Sequence, residues 1–208
     1  MSIDVLLNSF VVLFVVVDPI GNAPIFAALT RGASEAERRA LAVKGITLSA
    51  AILLVFFLVG NGLLSALGIG VPAFRIAGGV LLFLVAIDMV FARQSGLRGA
   101  TASEREEAQE REDISVFPLA FPLIAGPGAI TTVLLMASHG GSWAAYLVRF
   151  GIIVVVLGVT LASLLLTARI MQVLGETGTN VIDRLLGLML AAIAVQFVVD
   201  GISGAFGV

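Results

Sequence analysis

The sequence lacks cysteine, has a single histidine and carries few charged residues. Without cysteine the chain has no disulfide and no thiolate to offer a metal ion. The histidine, His139, lies in a short glycine-rich stretch where we expect it to be solvated, so no metal site is predicted. Charged residues make up 12% of the chain, against about 25% in soluble domains. Nothing in the sequence indicates binding to nucleic acid, and no cofactor is expected.

The apolar content indicates the class of protein. Hydrophobic residues make up 59% of the chain and the mean hydropathy is +1.11, beyond soluble domains, whose apolar share is about half. We therefore expect an all-α, multi-pass protein surrounded by membrane lipid. The first span lacks a preceding basic residue and an obvious cleavage site, so we expect it to be retained. Six stretches reach the roughly 20 residues that a helix needs to cross a bilayer: 5–30, 46–67, 71–92, 114–138, 144–168 and 185–206.

The basic residues are distributed unevenly between the two ends of these spans. Of the twelve, only Arg75 and Arg149 lie at one set of ends, and the others lie in or beside the loops that follow spans 1, 3 and 5. Lysine and arginine accumulate in cytoplasmic loops. This bias predicts that those three loops are cytoplasmic and that both termini lie outside.

Two of the spans carry the same proline punctuation. Pro19 and Pro24 enclose Ile-Gly-Asn-Ala, and Pro122 and Pro127, 103 positions further on, enclose Leu-Ile-Ala-Gly. Proline removes a backbone donor and glycine tolerates unusual dihedral angles, so we expect spans 1 and 4 to be helices that are broken at Pro-x4-Pro. Paired broken helices in the two halves of a membrane protein are typical of secondary transporters.

The two halves also resemble each other elsewhere. The segment Phe74-Arg75-Ile-Ala-Gly78 matches Asp183-Arg184-Leu-Leu-Gly187, each at the start of the third span of its half. Because each half has three spans, homologous halves would insert in opposite orientations, which predicts a 3+3 inverted repeat. We therefore expect a single transmembrane domain, residues 1–208, with repeat 1 at 1–92, a charged cytoplasmic loop at 93–115 and repeat 2 at 116–208.

Asp18 is an acidic residue near the middle of the first span, immediately before Pro19. A carboxylate at that depth is costly unless it is paired, hydrated or protonated, which makes Asp18 a functional candidate. The structural alternative is a helix cap that accepts backbone amides of Gly21 or Asn22. Asp88 and Gln196 are further candidates for coupling, although Asp88 could reach the interface and Gln196 could join two helices.

The second break offers backbone amides and hydroxyl groups instead of an acid, at Gly126, Gly128, Thr131 and Thr132. In antiparallel halves the restarted helices would point their N-termini at one central region, and helix N-termini favour a carboxylate. Asp18 would then meet an ammonium group, or a coupling H⁺ or Na⁺. The predicted ligand is a small zwitterion, and the predicted site consists of Asp18, Gly21, Asn22, Gly126, Gly128, Thr131 and Thr132.

Both punctuated segments resemble the signature segments of a known family. Asp18-Pro-Ile-Gly-Asn-Ala-Pro-Ile-Phe26 and Pro122-Leu-Ile-Ala-Gly-Pro-Gly-Ala-Ile-Thr131 are similar to those of the MarC family, which includes SnatA-type small neutral amino-acid transporters. The resemblance covers the whole chain. It implies the plasma (inner) membrane of a bacterium or archaeon and, for some members, movement of glycine, alanine or serine. It leaves the direction of transport open, export included.

Three other classes of function compete with a transporter. An intramembrane protease would need a Ser/His pair or two facing aspartates, and no histidine lies within a span, so we expect no enzymatic activity. A membrane scaffold gives no reason for two matched helix breaks. A channel is the third alternative, because broken helices also occur in pores.

Overall fold

The structure is a computed structural model that describes residues 3–91, 114–138 and 142–207. These residues form helices and contain no strand, as the composition predicts. The helices are α1 (Ile3–Val17), α2 (Asn22–Leu29), α3 (Glu35–Ala66), α4 (Val71–Val90), α5 (Ser115–Ile124), α6 (Pro127–Ser138), α7 (Trp143–Leu165) and α8 (Thr167–Phe206).

Among the described residues, five segments are long and apolar enough to cross a membrane. They are Val5–Leu29, Glu35–Gly60, Val71–Val90, Trp143–Leu165 and Thr177–Phe206. The pair α5–α6, which is bent by 59°, becomes a sixth if it is counted as one span. The prediction of a polytopic helical membrane protein is therefore confirmed.

The direction of the α5–α6 pair follows from its contacts with α3. The space beside Gly45 is filled by the side chain of Leu119, and the space beside Gly60 by that of Leu134. The pair therefore runs parallel to α3 over most of its length. At the start of α5, Ile114 packs with Leu29 from the end of α2.

Helices α4 and α8 form the most extensive helix pair, and they are antiparallel. A Cβ atom on Gly201 would lie 2.8 Å from the carbonyl oxygen of Pro72, and one on Gly187 would lie 2.6 Å from Cβ of Met89. We call the end of the bundle that contains Pro72 and the end of α6 the outer end, following the predicted orientation. The end that contains the end of α2 and the start of α5 is the inner end.

Two spans begin earlier than the sequence analysis predicts. Helix α3 starts at Glu35 instead of residue 46, because Ser34 and Glu37 form a capping box: the Glu37 amide donates to Ser34 Oγ (3.3 Å) and the Ser34 amide donates to Glu37 Oε2 (2.7 Å). The charged first turns of α3 are therefore helical. In α8, Gly175 has a φ of 62° and interrupts the helix, and the apolar span begins at Thr177 instead of residue 185.

The fourth span is irregular over more residues than the proline pattern predicts. Phe117 and Phe121 have extended backbone conformations (φ −131° and −132°) within α5, and each precedes a proline. A proline disfavours the helical conformation of the residue before it, which explains both positions. In this region the Ala125 amide bonds to the Ala120 carbonyl five residues back (2.8 Å).

The helix interruptions lie beside the prolines but do not run from proline to proline. In the first span the interruption covers 18–21, so Pro24 lies inside α2. In the fourth it covers 125–126, so Pro122 lies inside α5 and Pro127 is the first residue of α6, a position that suits proline. The Pro-x4-Pro breaks as drawn from the sequence are thus not confirmed. Residues 93–113 of the predicted loop lie outside the described residues, and so does His139. The last residue of the predicted loop, Ser115, already belongs to α5.

Candidate functional site

Asp18 ends α1 and caps the turn that follows it. Its amide still donates to the Phe14 carbonyl (2.9 Å), but its own φ is +50°, in the left-handed region that aspartate tolerates better than most residues. The following Pro19 disfavours a right-handed helical conformation at this position. Asp18 Oδ1 accepts the amide of Gly21 (3.0 Å), and its carbonyl accepts the amide of Asn22 (3.1 Å). The capping contact is therefore present, and the side chain is only 2% exposed.

Two further side chains bond to carbonyl groups that the first break releases. Asn22 Nδ2 donates to the carbonyl of Val17 (2.8 Å), and Ser163 Oγ on α7 donates to the carbonyl of Pro19 (2.6 Å). Freed backbone groups at membrane depth need such partners. Ser163 was missed by the sequence analysis, because its partner is 144 positions away and no local pattern marks the contact.

The second break turns the chain from α5 into α6. The amide of Ile130 donates to the carbonyl of Gly126 (3.0 Å), which starts the helix, and Thr132 Oγ1 donates to the carbonyl of Gly128 (2.9 Å). Thr131 and Thr132 are both buried, and so is every residue from Thr131 to Ala137. Over these residues α6 is buried among α1, α3, α4 and α7.

Glycines at and near the second break serve close packing. A Cβ atom on Gly126 would collide with the carbonyl oxygen of Pro122, and one on Gly128 would lie 2.8 Å from Leu82 Cδ2 and 3.1 Å from Val16 Cγ1. The sequence predicts that Gly128 offers its backbone amide to a ligand. In this structure the space beside Gly128 is filled by the side chains of Leu82 and Val16.

The two breaks lie close together in the middle of the bundle. Val16, two residues before Asp18, touches the second break at Gly128. At 1.5 Å per residue, the 15 residues of α1 and the 12 of α6 place their breaks about 22 Å and about 18 Å from the outer end of each helix. A cavity of about 20 Å³ lies beside the second break, lined by Val16, Val85 and residues of 122–129. That volume holds about one water molecule.

Larger clefts open at both ends of the bundle. The outer cleft, of about 350 Å³, lies between α1, α4, α6 and α8, and Thr132 and Met136 are at its α6 wall. The inner cleft, of about 520 Å³, lies between α2, the start of α3 and the junction of α7 with α8. Phe26 on α2 and Thr30, directly after α2, line one of its walls. Both clefts therefore reach a restarted helix, and neither is lined by Asp18.

The two other predicted coupling residues lie apart from each other. Asp88 is buried near the inner end of α4, whereas Gln196 on α8 lines the outer cleft and donates to Asp200 Oδ1 (2.6 Å). Within the described part of the chain, each buried side-chain nitrogen or oxygen has a hydrogen-bond partner. The centre is thus a closed and satisfied polar region, with Asp18, Gly21 and Asn22 on one break and Gly126, Gly128, Thr131 and Thr132 on the other.

Comparison with known proteins identifies the family. The family model described as MarC family integral membrane protein matches residues 3–206. The UPF0056 membrane protein YvbG of Bacillus subtilis is 40% identical over 209 residues, which cover 100% of this chain and 99% of YvbG. The UPF0056 membrane protein MJ1677 of Methanocaldococcus jannaschii is 38% identical, with 99% of both chains covered. A UPF0056 membrane protein of Aquifex aeolicus is 36% identical over 94% of this chain and 91% of its own. No solved structure matches. The chain belongs to the MarC family of integral membrane proteins.

Proposed function

We propose that the protein is a secondary transporter that carries small neutral amino acids, such as glycine, alanine and serine, across the plasma (inner) membrane. The observation that carries this proposal is the meeting of two helix interruptions in the middle of the bundle, between clefts that open at opposite ends. A carrier needs a central site that each side of the membrane reaches in turn. Such a cycle can carry substrate in either direction, so the proposal includes export.

The helix packing supports a 3+3 inverted repeat. Helix α3 packs against α5 and α6, and its counterpart α7 packs against α1 and α2. Likewise α4 packs against α6, and its counterpart α8 packs against α2. The repeat would exchange α3 with α7 and α4 with α8, and the two helices of each pair are in contact with each other. This pattern is what two halves related by an axis in the membrane plane would give.

The polarity of the breaks suits a zwitterion. Helices α2 and α6 begin at the two breaks and run toward opposite ends of the bundle, so their positive N-termini face the centre, where they favour a carboxylate. Asp18 supplies the opposite charge, for the ammonium group or for a coupling H⁺ or Na⁺. Thr131 and Thr132 add hydroxyl groups from α6.

The size of the centre supports a small substrate and a moving protein. The cavity of about 20 Å³ is too small for any amino acid, so binding requires α1–α2 to separate from α5–α6. A channel is the second candidate, since broken helices also line pores. The centre is closed in this structure, which favours a carrier over a channel. The paired helix breaks favour either of these over a membrane scaffold, because a scaffold gives no reason for them.

The proposal is tested by ligand-induced stabilisation of the purified protein. A ligand that binds only the folded state raises the melting temperature with its concentration. We expect saturable stabilisation by glycine, L-alanine and L-serine, and none by L-lysine or L-glutamate, whose charged side chains have no partner in the proposed site. If all five amino acids leave the melting temperature unchanged, the proposed substrate class is wrong.

A further inference from the structure

The inner cleft carries positive charge that neither helix break uses. Arg38 and Arg39, near the start of α3, line the cleft together with Glu35. We propose that the inner cleft binds the headgroup of an anionic phospholipid, with the phosphate group at these two arginines. This proposal goes beyond the proposed function and does not depend on the transport of amino acids.

The two arginines are unpaired among the described residues. Within that part of the chain, neither guanidinium group forms an ion pair or a hydrogen bond. The carboxylate of the neighbouring Glu37 is engaged by Ser34, whose amide and hydroxyl group both donate to its Oε2 (2.7 Å each). The N-terminal end of the α3 dipole adds to the positive potential. Two guanidinium groups therefore face one uncommitted carboxylate, that of Glu35, so the cleft favours an anion.

The chemistry of the arginines suits a phosphate group. Each guanidinium group presents five N–H donors in a planar fork, which matches the oxygens of a phosphate. Hydrogen bonds between an ionised donor and an ionised acceptor are about twice as strong as those between neutral groups. A phosphodiester thus supplies the negative charge that the cleft lacks and accepts hydrogen bonds from the side chains of Arg38 and Arg39.

The other polar groups of the cleft accept hydrogen bonds. Thr30 Oγ1 donates to the carbonyl of Phe26 (2.7 Å), and Thr167 Oγ1 donates to that of Leu164 (2.7 Å). With their hydrogens used in this way, both hydroxyl groups can only accept from a ligand, as can the carboxylate of Glu35. A glycerol headgroup has hydroxyl groups to donate. A choline headgroup has no donor and brings a like charge to the arginines, so the cleft suits a lipid of the phosphatidylglycerol type.

The cleft opens onto the lipid-facing surface. Leu165, at the end of α7, lines the cleft and is 45% exposed, and the next residue, Leu166, is 46% exposed. Acyl chains can lie against these leucines while the headgroup enters the cleft, whose volume of about 520 Å³ is within the roughly 300–1,000 Å³ of small-molecule pockets. A soluble phosphate ester makes no use of the leucines.

The position of the cleft in the membrane fits the same ligand. The inner end of the bundle is the predicted cytoplasmic end, and the cytoplasmic leaflet carries anionic lipids. Basic pockets between helices on that side bind lipid headgroups. The positive-inside rule accounts for basic residues beside a span. It does not account for two adjacent arginines at a cleft between α2, α3 and the α7–α8 junction.

The first experiment compares lipids by thermal unfolding of the detergent-purified protein. A ligand of the folded state raises the melting temperature with its concentration. We expect saturable stabilisation by short-chain phosphatidylglycerol and much weaker stabilisation by phosphatidylcholine with the same acyl chains. Glycerol phosphate shares the headgroup chemistry but has no acyl chain, and we expect no effect at the same concentrations. Equal stabilisation by the two lipids would refute recognition of the headgroup, and equal stabilisation by glycerol phosphate would make the ligand a soluble anion.

The second experiment removes one charge at a time. We expect Arg38→Gln and Arg39→Gln each to raise the phosphatidylglycerol concentration for half-maximal stabilisation by roughly tenfold, because each removes a charge-assisted hydrogen bond. Arg184→Gln is the matched control, because Arg184 is an exposed arginine of α8 that does not line the cleft. The same concentration dependence in all three variants overturns the proposal.

The third experiment locates the lipid. Ala33 lines the cleft, and the chain has no native cysteine, so Ala33→Cys places a single thiol there. We expect phosphatidylglycerol to slow its modification by a small charged thiol reagent several-fold and phosphatidylcholine to leave the rate unchanged. Ser65→Cys, an exposed position near the outer end of α3, is the control and should react at the same rate with either lipid.

Stabilisation by phosphatidylglycerol without protection of Ala33→Cys would place the lipid elsewhere and refute the cleft site. None of the three experiments contains an amino acid, so a negative result leaves the proposed transport function intact. Conversely, protection that depends on Arg38 and Arg39 would establish the lipid site even if the protein did not bind glycine, L-alanine or L-serine.

Discussion

At the scale of single residues, the polar groups of the two breaks have structural partners already. Asp18 accepts the Gly21 amide, and Ser163 donates to the Pro19 carbonyl. These contacts explain how a bent backbone persists at membrane depth, where an unpaired backbone group costs several kcal/mol. They do not use the negative charge of Asp18, because a neutral oxygen acceptor at that position would also cap the turn.

This distinction predicts the effect of Asp18→Asn. The amide oxygen keeps the bond to the Gly21 amide, so we expect the variant to fold and to exchange substrate across proteoliposomes. Removal of the titratable charge should abolish accumulation of L-alanine against its gradient, if Asp18 holds the coupling H⁺ or Na⁺. The measurement compares gradient-driven uptake of L-alanine with exchange of L-alanine in the same proteoliposome preparation. Full accumulation by Asp18→Asn would restrict Asp18 to capping, and loss of exchange as well would indicate contact with the substrate ammonium group.

A second residue-scale prediction concerns Gly126. A Cβ atom there would collide with the backbone oxygen of Pro122, which cannot rotate away as a side chain would. We expect Gly126→Ala to destabilise the protein by about 1–3 kcal/mol, the usual cost of overpacking. In Gly158→Ala, on the exposed face of α7, the added Cβ meets no atom within 4 Å, so stability should stay the same or rise by up to about 1 kcal/mol. Equal melting temperatures of the two variants would contradict the geometry of the turn.

At the scale of helices, α4 and α8 depend on small residues for their contact. A Cβ atom on Gly79 would lie 2.7 Å from the Ala194 carbonyl oxygen, and one on Gly187 would lie 3.1 Å from the Val90 amide nitrogen. Lipid offers little hydrophobic driving force for helix association, so close backbone approach supplies much of the packing energy.

We therefore expect Gly79→Ala and Gly187→Ala each to lower stability by about 1–3 kcal/mol. Gly204→Ala, whose Cβ would make an ordinary 3.5 Å contact with Pro72, is the control on the same interface and should have little effect. Thermal unfolding of the three purified variants measures the difference. A loss of stability in Gly204→Ala as large as in Gly79→Ala would show that the contact is looser than described.

Helix composition was predictable and helix ends were less so. Long apolar runs mark each span, but the start of α3 depends on Ser34 and Glu37, which stand outside the apolar run. The Ser-x-x-Glu signal of a capping box was readable there and would have corrected the boundary. In α5, Pro118 extends the irregular segment four residues before Pro122, so counting every proline of the span would have widened the predicted break.

At the scale of the whole molecule, the two ends of the bundle differ in their number of basic residues. Arg31, Arg38 and Arg39 cluster at the inner end, and Arg75 and Arg149 lie toward the outer end. The positive-inside rule predicts that the inner end is cytoplasmic. Arg31, in the turn before α3, and Ser65, near the end of α3, are exposed positions at opposite ends of the bundle, and each can carry a single cysteine.

In intact cells we expect an impermeant thiol reagent to modify Ser65→Cys and to leave Arg31→Cys unmodified until the membrane is permeabilised. The physical reason is that Lys and Arg next to a span are retained on the cytoplasmic side. Modification of Arg31→Cys alone in intact cells would reverse the orientation and with it the names of the two clefts.

The approximate positions of the two helix interruptions were predictable, but the contacts around them were not. Proline and glycine punctuation located both interruptions to within a few residues, because backbone chemistry acts locally. The neighbours of Gly128, namely Leu82 and Val16, come from other helices, and the Ser163–Pro19 bond joins α7 to the first break. Such contacts depend on tertiary packing, so no local pattern contains them. The outer cleft combines residues of four helices and was missed for the same reason.

The central claim is that a substrate moves through this bundle by alternate opening toward the two sides of the membrane. Counterflow of L-alanine tests this claim most directly. Proteoliposomes loaded with unlabelled L-alanine are diluted into a trace of labelled L-alanine, with protein-free liposomes as the control. The account predicts a transient accumulation of label above equilibrium that saturates with L-alanine and is reduced by glycine and L-serine. No accumulation above the control with any of the three amino acids, or a flux that rises linearly without saturation, would contradict it.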